Sequence, residues 1–241
     1  RVHAVAVASL RHARGVGGCV RCDCASARRV AVTIDHLNRF FGHRCAASLV
    51  RWFPNAKEVT ETIGAFVAIT TRLRLLSRGD RSVVAVVVGD GHSPRTGAFI
   101  AASTAWRVIS IDPVLSTKRH GVERLETRSH RIEDTPAIDA HDGPAIIVAV
   151  HSHARLNDAV RKITNASTLD VVSIPCCVPQ TITRFGDVLL APSVEYSDDA
   201  ILSPERRVLV WRDVWTHSFT PRRARYDVPS YDANGSPVEA P

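Results

Sequence analysis

The stretch VVAVVVGDGHSPRTGAF, Val83 to Phe99, constrains this chain more than any other. Six apolar residues run without interruption into Gly89-Asp90-Gly91, and beyond Pro94 a helix-like segment begins. A strand apolar at every position has both faces covered, which is the situation of a parallel sheet sandwiched between helices. Ser93 is expected to cap the helix and Pro94 to occupy its first position, with the helix running through about Thr104.

The same alternation recurs along the chain. Val59, Ile63, Phe66, Val67, Leu73 and Leu76 share one helical face, so Asn55 to about Leu76 is expected to be an amphipathic helix preceded by Pro54. Strands are expected at Trp106–Ile111, Leu125–Ile132, Ala145–Val150, Val171–Ile174 and Val208–Trp211, with a short helix at Leu156–Ile163. Strands alternating with helices imply an α/β domain with a doubly wound, mostly parallel sheet. The chain divides into a Cys/His/Arg-rich N-terminal extension (1–54), the α/β domain (55–226) and a tail (227–241) whose Pro/Ser/Asp/Asn composition predicts disorder. With 241 residues, 45% of them hydrophobic, a substantial core is expected. No uncharged apolar run reaches about 18 residues, so no membrane span is expected and the protein is placed in the cytoplasm.

In a doubly wound sheet ligands bind beyond the carboxyl ends of the strands. Those ends carry Gly89-Asp90-Gly91, Asp112, Glu133-Asp134, His151-Ser152-His153 and Cys176-Cys177. The dinucleotide fingerprint G-x-G-x-x-G requires a third glycine where this chain has Pro94, and no Gly-Lys-Ser/Thr follows to make a P-loop. What remains is a turn that admits a ligand to the backbone, and a carboxylate, Asp112, about 20 residues on, suited to the hydroxyls of a ribose. The expected ligand is a nucleoside with no required pyrophosphate. The plainer alternative is that the glycines close a tight turn and Asp112 caps a helix.

Over roughly residues 80–190 this combination resembles the class I S-adenosylmethionine-dependent methyltransferases. The resemblance implies a Rossmann-like methyltransferase sheet, with Gly89, Asp90 and Gly91 facing the methionyl and ribose part of the cofactor. It further implies Asp112 on the ribose and Glu133 or Asp134 beside the adenine. His92-Ser93-Pro94-Arg95 departs from the small residues usual after the turn. The Asp/Asn-Pro-Pro-aromatic motif of amino-group methyltransferases is replaced by His151-Ser152-His153, and the Lys-Asp-Lys-Glu set of many ribose 2′-O-methyltransferases is not visible. His151 and the Pro175-Cys176-Cys177 run are distantly similar to a group that includes tRNA ribose methyltransferases, although Ser152-His153 stands where that group has Cys-Gly.

His151 can serve as a general base for an acceptor hydroxyl, or can simply be a hydrogen-bonded loop residue. Cys176 or Cys177 can be a nucleophile toward a pyrimidine, or plain packing. The six cysteines cluster without a secretory signal, as in a metal or thiol arrangement of a reducing compartment. Cys19-x-x-Cys22-x-Cys24, completed by Cys45, His36 or His43, has enough soft ligands for tetrahedral zinc; a reduced, metal-free loop is the alternative. Residues 1–22 contain no acid and read either as a transit-like segment or, over Val2–Leu10, as a strand; Arg1 is not expected to be a native start.

The formal charge is +7, and Lys57, Lys118 and Lys162 are the only lysines among 31 basic residues. Arginine forks suit phosphate, and Arg206-Arg207, Trp211-Arg212, Trp215, Arg222-Arg223 and Arg225-Tyr226 interleave arginine with rings, a pattern that suits single-stranded RNA. Compositional bias toward Arg, Ala and Val is the other explanation. The sequence is therefore read as an RNA methyltransferase (tRNA, rRNA or cap) using S-adenosylmethionine, with zinc as a candidate second ligand. The alternative is a methyltransferase-like domain without catalysis that binds RNA within a ribonucleoprotein or viral assembly.

Overall fold

The computed structural model describes residues 35–73, 76–116, 121–183 and 188–214. The Val2–Leu10 strand, Cys19, Cys22, Cys24, Trp215, the last arginines and the tail lie outside them. The main sheet has seven strands: β1 (Val84–Val88), β2 (Arg107–Ile111), β3 (Leu125–Arg128), β4 (Ala145–Val150), β5 (Leu169–Ile174), β6 (Val194–Ser197) and β7 (Arg207–Trp211). Their spatial order is β3-β2-β1-β4-β5-β7-β6. Every pair from β3 through β5 is parallel, while β7 runs antiparallel to both β5 and β6. As far as β5 this is the order of the doubly wound nucleotide-binding fold. It then departs from it, because β6 and β7 form a hairpin and β7 enters next to β5.

Alternate residues of each strand feed two cores, as a doubly covered sheet requires. Ala85, Val87, Ile146, Val148, Val172 and Val210 pack with helices α1 (Ala56–Arg72) and α2 (Arg95–Ser103). Val84, Val86, Val88, Ile147, Val171 and Trp211 pack on the other face with helix α3 (Leu156–Lys162). Residues 35–53 join the first core: Phe40 stacks edge-on with Phe53 and lies 5.8 Å from Phe99, which meets Phe66 edge-on. Trp211 is core, its indole donating to the Leu190 carbonyl.

Four elements differ from expectation. β3 stops at Arg128 rather than Ile132, and Ile132–Asp134 forms a 3-10 turn, so Glu133 and Asp134 stand beyond the strand end. α1 ends at Arg72 rather than near Leu76, and its N-cap is Asn55, whose side chain accepts from the Glu58 amide. Lys162 closes α3, because Ile163–Thr164 pairs in parallel with Ile138–Asp139. α2 starts at Arg95, with Pro94 one position earlier than expected and no capping bond from its own N-cap residue. Its first amides go instead to Asp90, the residue between the two glycines.

The close helix–strand packing that a third fingerprint glycine would permit is found at Gly97, in the first turn of α2. A Cβ there would collide with Ser110 Oγ of β2 and come within 3.1 Å of Asp90 Oδ2. In an open helix Gly→Ala gains about 1 kcal/mol. Here the clash is expected to reverse the sign: Gly97→Ala should lose about 1–3 kcal/mol in urea unfolding, the range for overpacked cores. A stabilised variant would show that the contact is not tight.

Candidate active site

β1 and β4 are neighbours, and the chain leaves β1 toward α2 on one face but leaves β4 toward α3 on the other. Such a divergence opens a crevice at the carboxyl ends of the strands. It holds a cavity of about 570 Å³, a volume typical of small-molecule sites. Gly89 and Gly91 form its floor with φ of +72° and +74°, a region that side-chain-bearing residues avoid. A Cβ on Gly89 would run into the Ser152 side chain, so the turn and the β4 loop meet backbone to side chain. At the end of β2, Asp112 is held from both sides: Oδ2 accepts from Gly91 N (2.9 Å) and Oδ1 from Val114 N (2.9 Å). Each oxygen keeps a lone pair, and the half-buried carboxylate lines the cavity. Glu133, His130 and Arg131 line the far side, and Asp134 is not part of the wall.

Asp90 also borders the cavity, but its carboxylate is turned inward. Oδ1 accepts from Thr96 N (3.0 Å), and Oδ2 accepts from Gly97 N (2.9 Å) and Ser110 Oγ (2.7 Å). Burial pushes its carboxyl up to about 6 against the downward pull of these donors and of Arg95. Two of the four orphan amides at the start of α2 are thereby satisfied by protein, which removes them from any phosphate site.

His151 follows β4 with φ +48°, a left-handed conformation that costs about 1 kcal/mol or more in a non-glycine residue and recurs at functional sites. Its Nε2 lies 3.1 Å from Glu61 Oε1, and Lys57 Nζ reaches the same oxygen at 2.8 Å. Glu61 sits on α1 and is 4% exposed. Burial works to raise its carboxyl, but His151 and Lys57 outweigh it and hold it below the usual carboxylate range. Nε2, the buried nitrogen of the ring, is the one that faces Glu61, without hydrogen-bond alignment, and the residue lines the cavity. An imidazole backed by an ionised, buried carboxylate can take up a proton and have its charge stabilised. Across the entrance Arg95 pairs with Glu58 at 2.8 Å.

The second half of the expected constellation is separate. Cys176 and Cys177 follow β5 outside the cavity lining; Cys176 is half-buried and Cys177 exposed, so neither is core packing. Cys177 Sγ lies 3.5 Å from His153 Nε2, and the adjacent Cys176 sulfur pushes the Cys177 thiol up. Of the candidate zinc ligands only Cys45, His36 and His43 are described. Cys45 Sγ contacts His43 Nδ1 at 2.8 Å, and His36 is committed to a buried ion pair with Asp198 at 3.0 Å. Glu61, Lys57 and Glu58 were not anticipated from sequence. The available signal was Thr60-Glu61-Thr62, a polar trio between the apolar positions Val59 and Ile63, all three buried in the fold.

No family profile and no curated protein matches this chain. Among solved structures it is similar to phosphoethanolamine N-methyltransferase 1 of Haemonchus contortus (9% identity, 82% of this chain and 50% of that one, TM-score 0.39). It is also similar to a coclaurine N-methyltransferase (11%, 63% and 52%, TM-score 0.35) and to MtNAS in complex with MTA and tNA (16%, 77% and 73%, TM-score 0.37). The chain spans about half the length of the first two. Among the described residues no helix is long and apolar enough to cross a membrane.

The buried Asp90 predicts a pH dependence of stability. Its folded value of about 6 lies above the ordinary carboxylate value, so the folded chain holds a proton that the unfolded chain has released. That contribution is full below about pH 4 and lost as pH rises through about 6, a difference of about 3 kcal/mol. The stability of the parent relative to Asp90→Asn should therefore fall by about 2–3 kcal/mol between pH 4 and pH 7.5 in urea titrations. A constant gap would mean that the three donors cancel the effect of burial, and a gap that grows with pH that they outweigh it.

Proposed function

We propose that this chain is an S-adenosylmethionine-dependent methyltransferase that acts on RNA. The observation that carries the reading is the cavity itself: a glycine turn, the clamped carboxylate of Asp112 and the His151–Glu61 pair face one space at the point where the strand order reverses. The α2 amides that would bind a pyrophosphate are capped by Asp90, while Asp112 keeps lone pairs for a diol. Together these fit a nucleoside whose linkage carries no phosphate better than a dinucleotide. Gly89, Gly91 and Asp112 would hold the sugar and its neighbouring atoms, and Pro113 and Val114, the latter exposed at the rim, offer an apolar edge for a base.

When bound, S-adenosylmethionine supplies a methyl carbon on a cationic sulfur, which an attacking lone pair takes while the sulfur keeps the electrons of the broken bond. The chain's own part is to position the acceptor and manage its proton. His151 receives that proton, and Glu61 compensates the imidazolium from behind. Lys57 keeps Glu61 ionised, so the carboxylate orients and stabilises without taking the proton itself. What supports RNA as the acceptor is the charge of +7, together with His130, Arg131 and His153 on a cavity wall that also carries Glu58 and Glu133.

Calorimetry is expected to give a Kd on the order of micromolar for S-adenosylmethionine and its demethylated product. Asp112→Ala should weaken both at least about tenfold, the loss of roughly one charge-assisted hydrogen bond. His151→Ala should retain the binding and lose about 10²–10⁴ in transfer of labelled methyl to total RNA. No binding of either cofactor form would overturn the methyltransferase reading. Salt-dependent RNA binding that is unchanged by cofactor, with no transfer, would put the non-catalytic assembly subunit in its place.

A further inference from the structure

We propose that His153, Cys176 and Cys177 form a zinc site with three protein ligands and an open fourth position, at the rim of the cavity. It shares none of the residues Cys19, Cys22, Cys24 and Cys45. Among the described residues these three are the one His/Cys/Asp/Glu group whose ligand atoms all lie within 4.8 Å of one another.

The spacing matches the metal. For Zn–S near 2.3 Å and Zn–N near 2.0–2.1 Å at tetrahedral angles, the sulfur–sulfur edge is about 3.8 Å and the sulfur–nitrogen edge about 3.5–3.6 Å. Cys176 Sγ and Cys177 Sγ are 3.8 Å apart, and Cys177 Sγ is 3.5 Å from His153 Nε2. The third edge, from Cys176 Sγ to the His153 ring, is within 4.8 Å. Two sulfurs and an imidazole are donors that select zinc over hard cations such as magnesium or calcium.

Two further features favour a metal over the other uses of a cysteine pair. Consecutive Cα atoms are about 3.8 Å apart, short of the roughly 4.4–6.8 Å that an unstrained disulfide spans, so adjacent cysteines are poor partners for each other. The two loops that carry the ligands are also tied together before any metal arrives. Gln180, buried, donates from Nε2 to the Ser152 carbonyl at 2.7 Å, joining the segment after β5 to the one after β4. Ser152 Oγ in turn accepts from Ala154 N at 3.0 Å, which bends the chain around His153. Three ligands with one free position is the pattern of a zinc that binds water or a substrate atom.

The site is tested on the full chain in reducing buffer with cobalt(II) and zinc as probes. A variant with Cys19, Cys22, Cys24 and Cys45 all changed to Ser should still bind one cobalt, with thiolate-to-cobalt charge-transfer bands and the visible bands of a four-coordinate ion, and zinc should displace it. In that background Cys176→Ser, Cys177→Ser or His153→Ala should each weaken zinc at least about a hundredfold, since even outer-shell changes cost 10–100-fold. If the fourfold variant does not fold, the same three substitutions in the parent should each remove one equivalent of bound metal. Zinc stoichiometry and affinity unaffected by all three would overturn the site, as would cobalt bound without thiolate bands. The readout is metal alone, so it stands or falls separately from methyl transfer.

Discussion

The buried carboxylate of Asp90 is the contact on which the rest of the site depends. It joins three elements at one group: the turn after β1, the first turn of α2 and Ser110 of β2. A carboxylate withdrawn from water is costly unless its lone pairs are used, and here three donors use them. The same contact explains two departures from simple expectation. Ser93 is not needed as a cap because Asp90 reaches the amides from the preceding turn, and α2 must approach β2 closely enough to share that carboxylate, which makes Gly97 the position that cannot carry a side chain.

With the α2 amides spent internally, the cavity's electrostatics come from elsewhere. Asp112 is clamped by two backbone amides and presents a fixed negative edge. Opposite it stands α1, whose Glu61 meets both Lys57, half exposed, and His151 through one oxygen. Removing Lys57 would leave the buried Glu61 carboxylate under-compensated. α1 is held in register by the β6–β7 hairpin: Ile201 is buried among the core residues of that face, and Thr60 Oγ1 accepts from the Leu202 amide at 3.1 Å. The antiparallel end of the sheet thus positions a residue of the active-site wall from the other side of the helix.

The strands were legible because burial on both faces leaves a signal that needs no partner to interpret: Val84–Val88 and Ala145–Val150 lie where apolar runs end at polar residues. Expectation failed where a neighbour decides the outcome. Leu125 to Ile132 alternates well enough for a longer strand, but β3 is the edge and pairs with β2 only through Arg128, after which the chain turns. Helix ends failed for a related reason, since a cap can be supplied from outside the helix, as Asp90 shows.

At the site, chain order and the two-residue strand period suffice to place Gly89, Asp112 and His151 just beyond the carboxyl ends of parallel strands, whereas Glu133 comes to the cavity through the turn after β3. Their partners come from how distant elements pack. Glu61 lies 90 residues from His151 in the chain and meets it because α1 crosses the sheet above β4. His153 meets Cys177 because the loops after β4 and β5 leave adjacent parallel strands. Local periodicity records which face of an element is buried, whereas the partner across a gap depends on how elements pack, and that is set by the whole core at once.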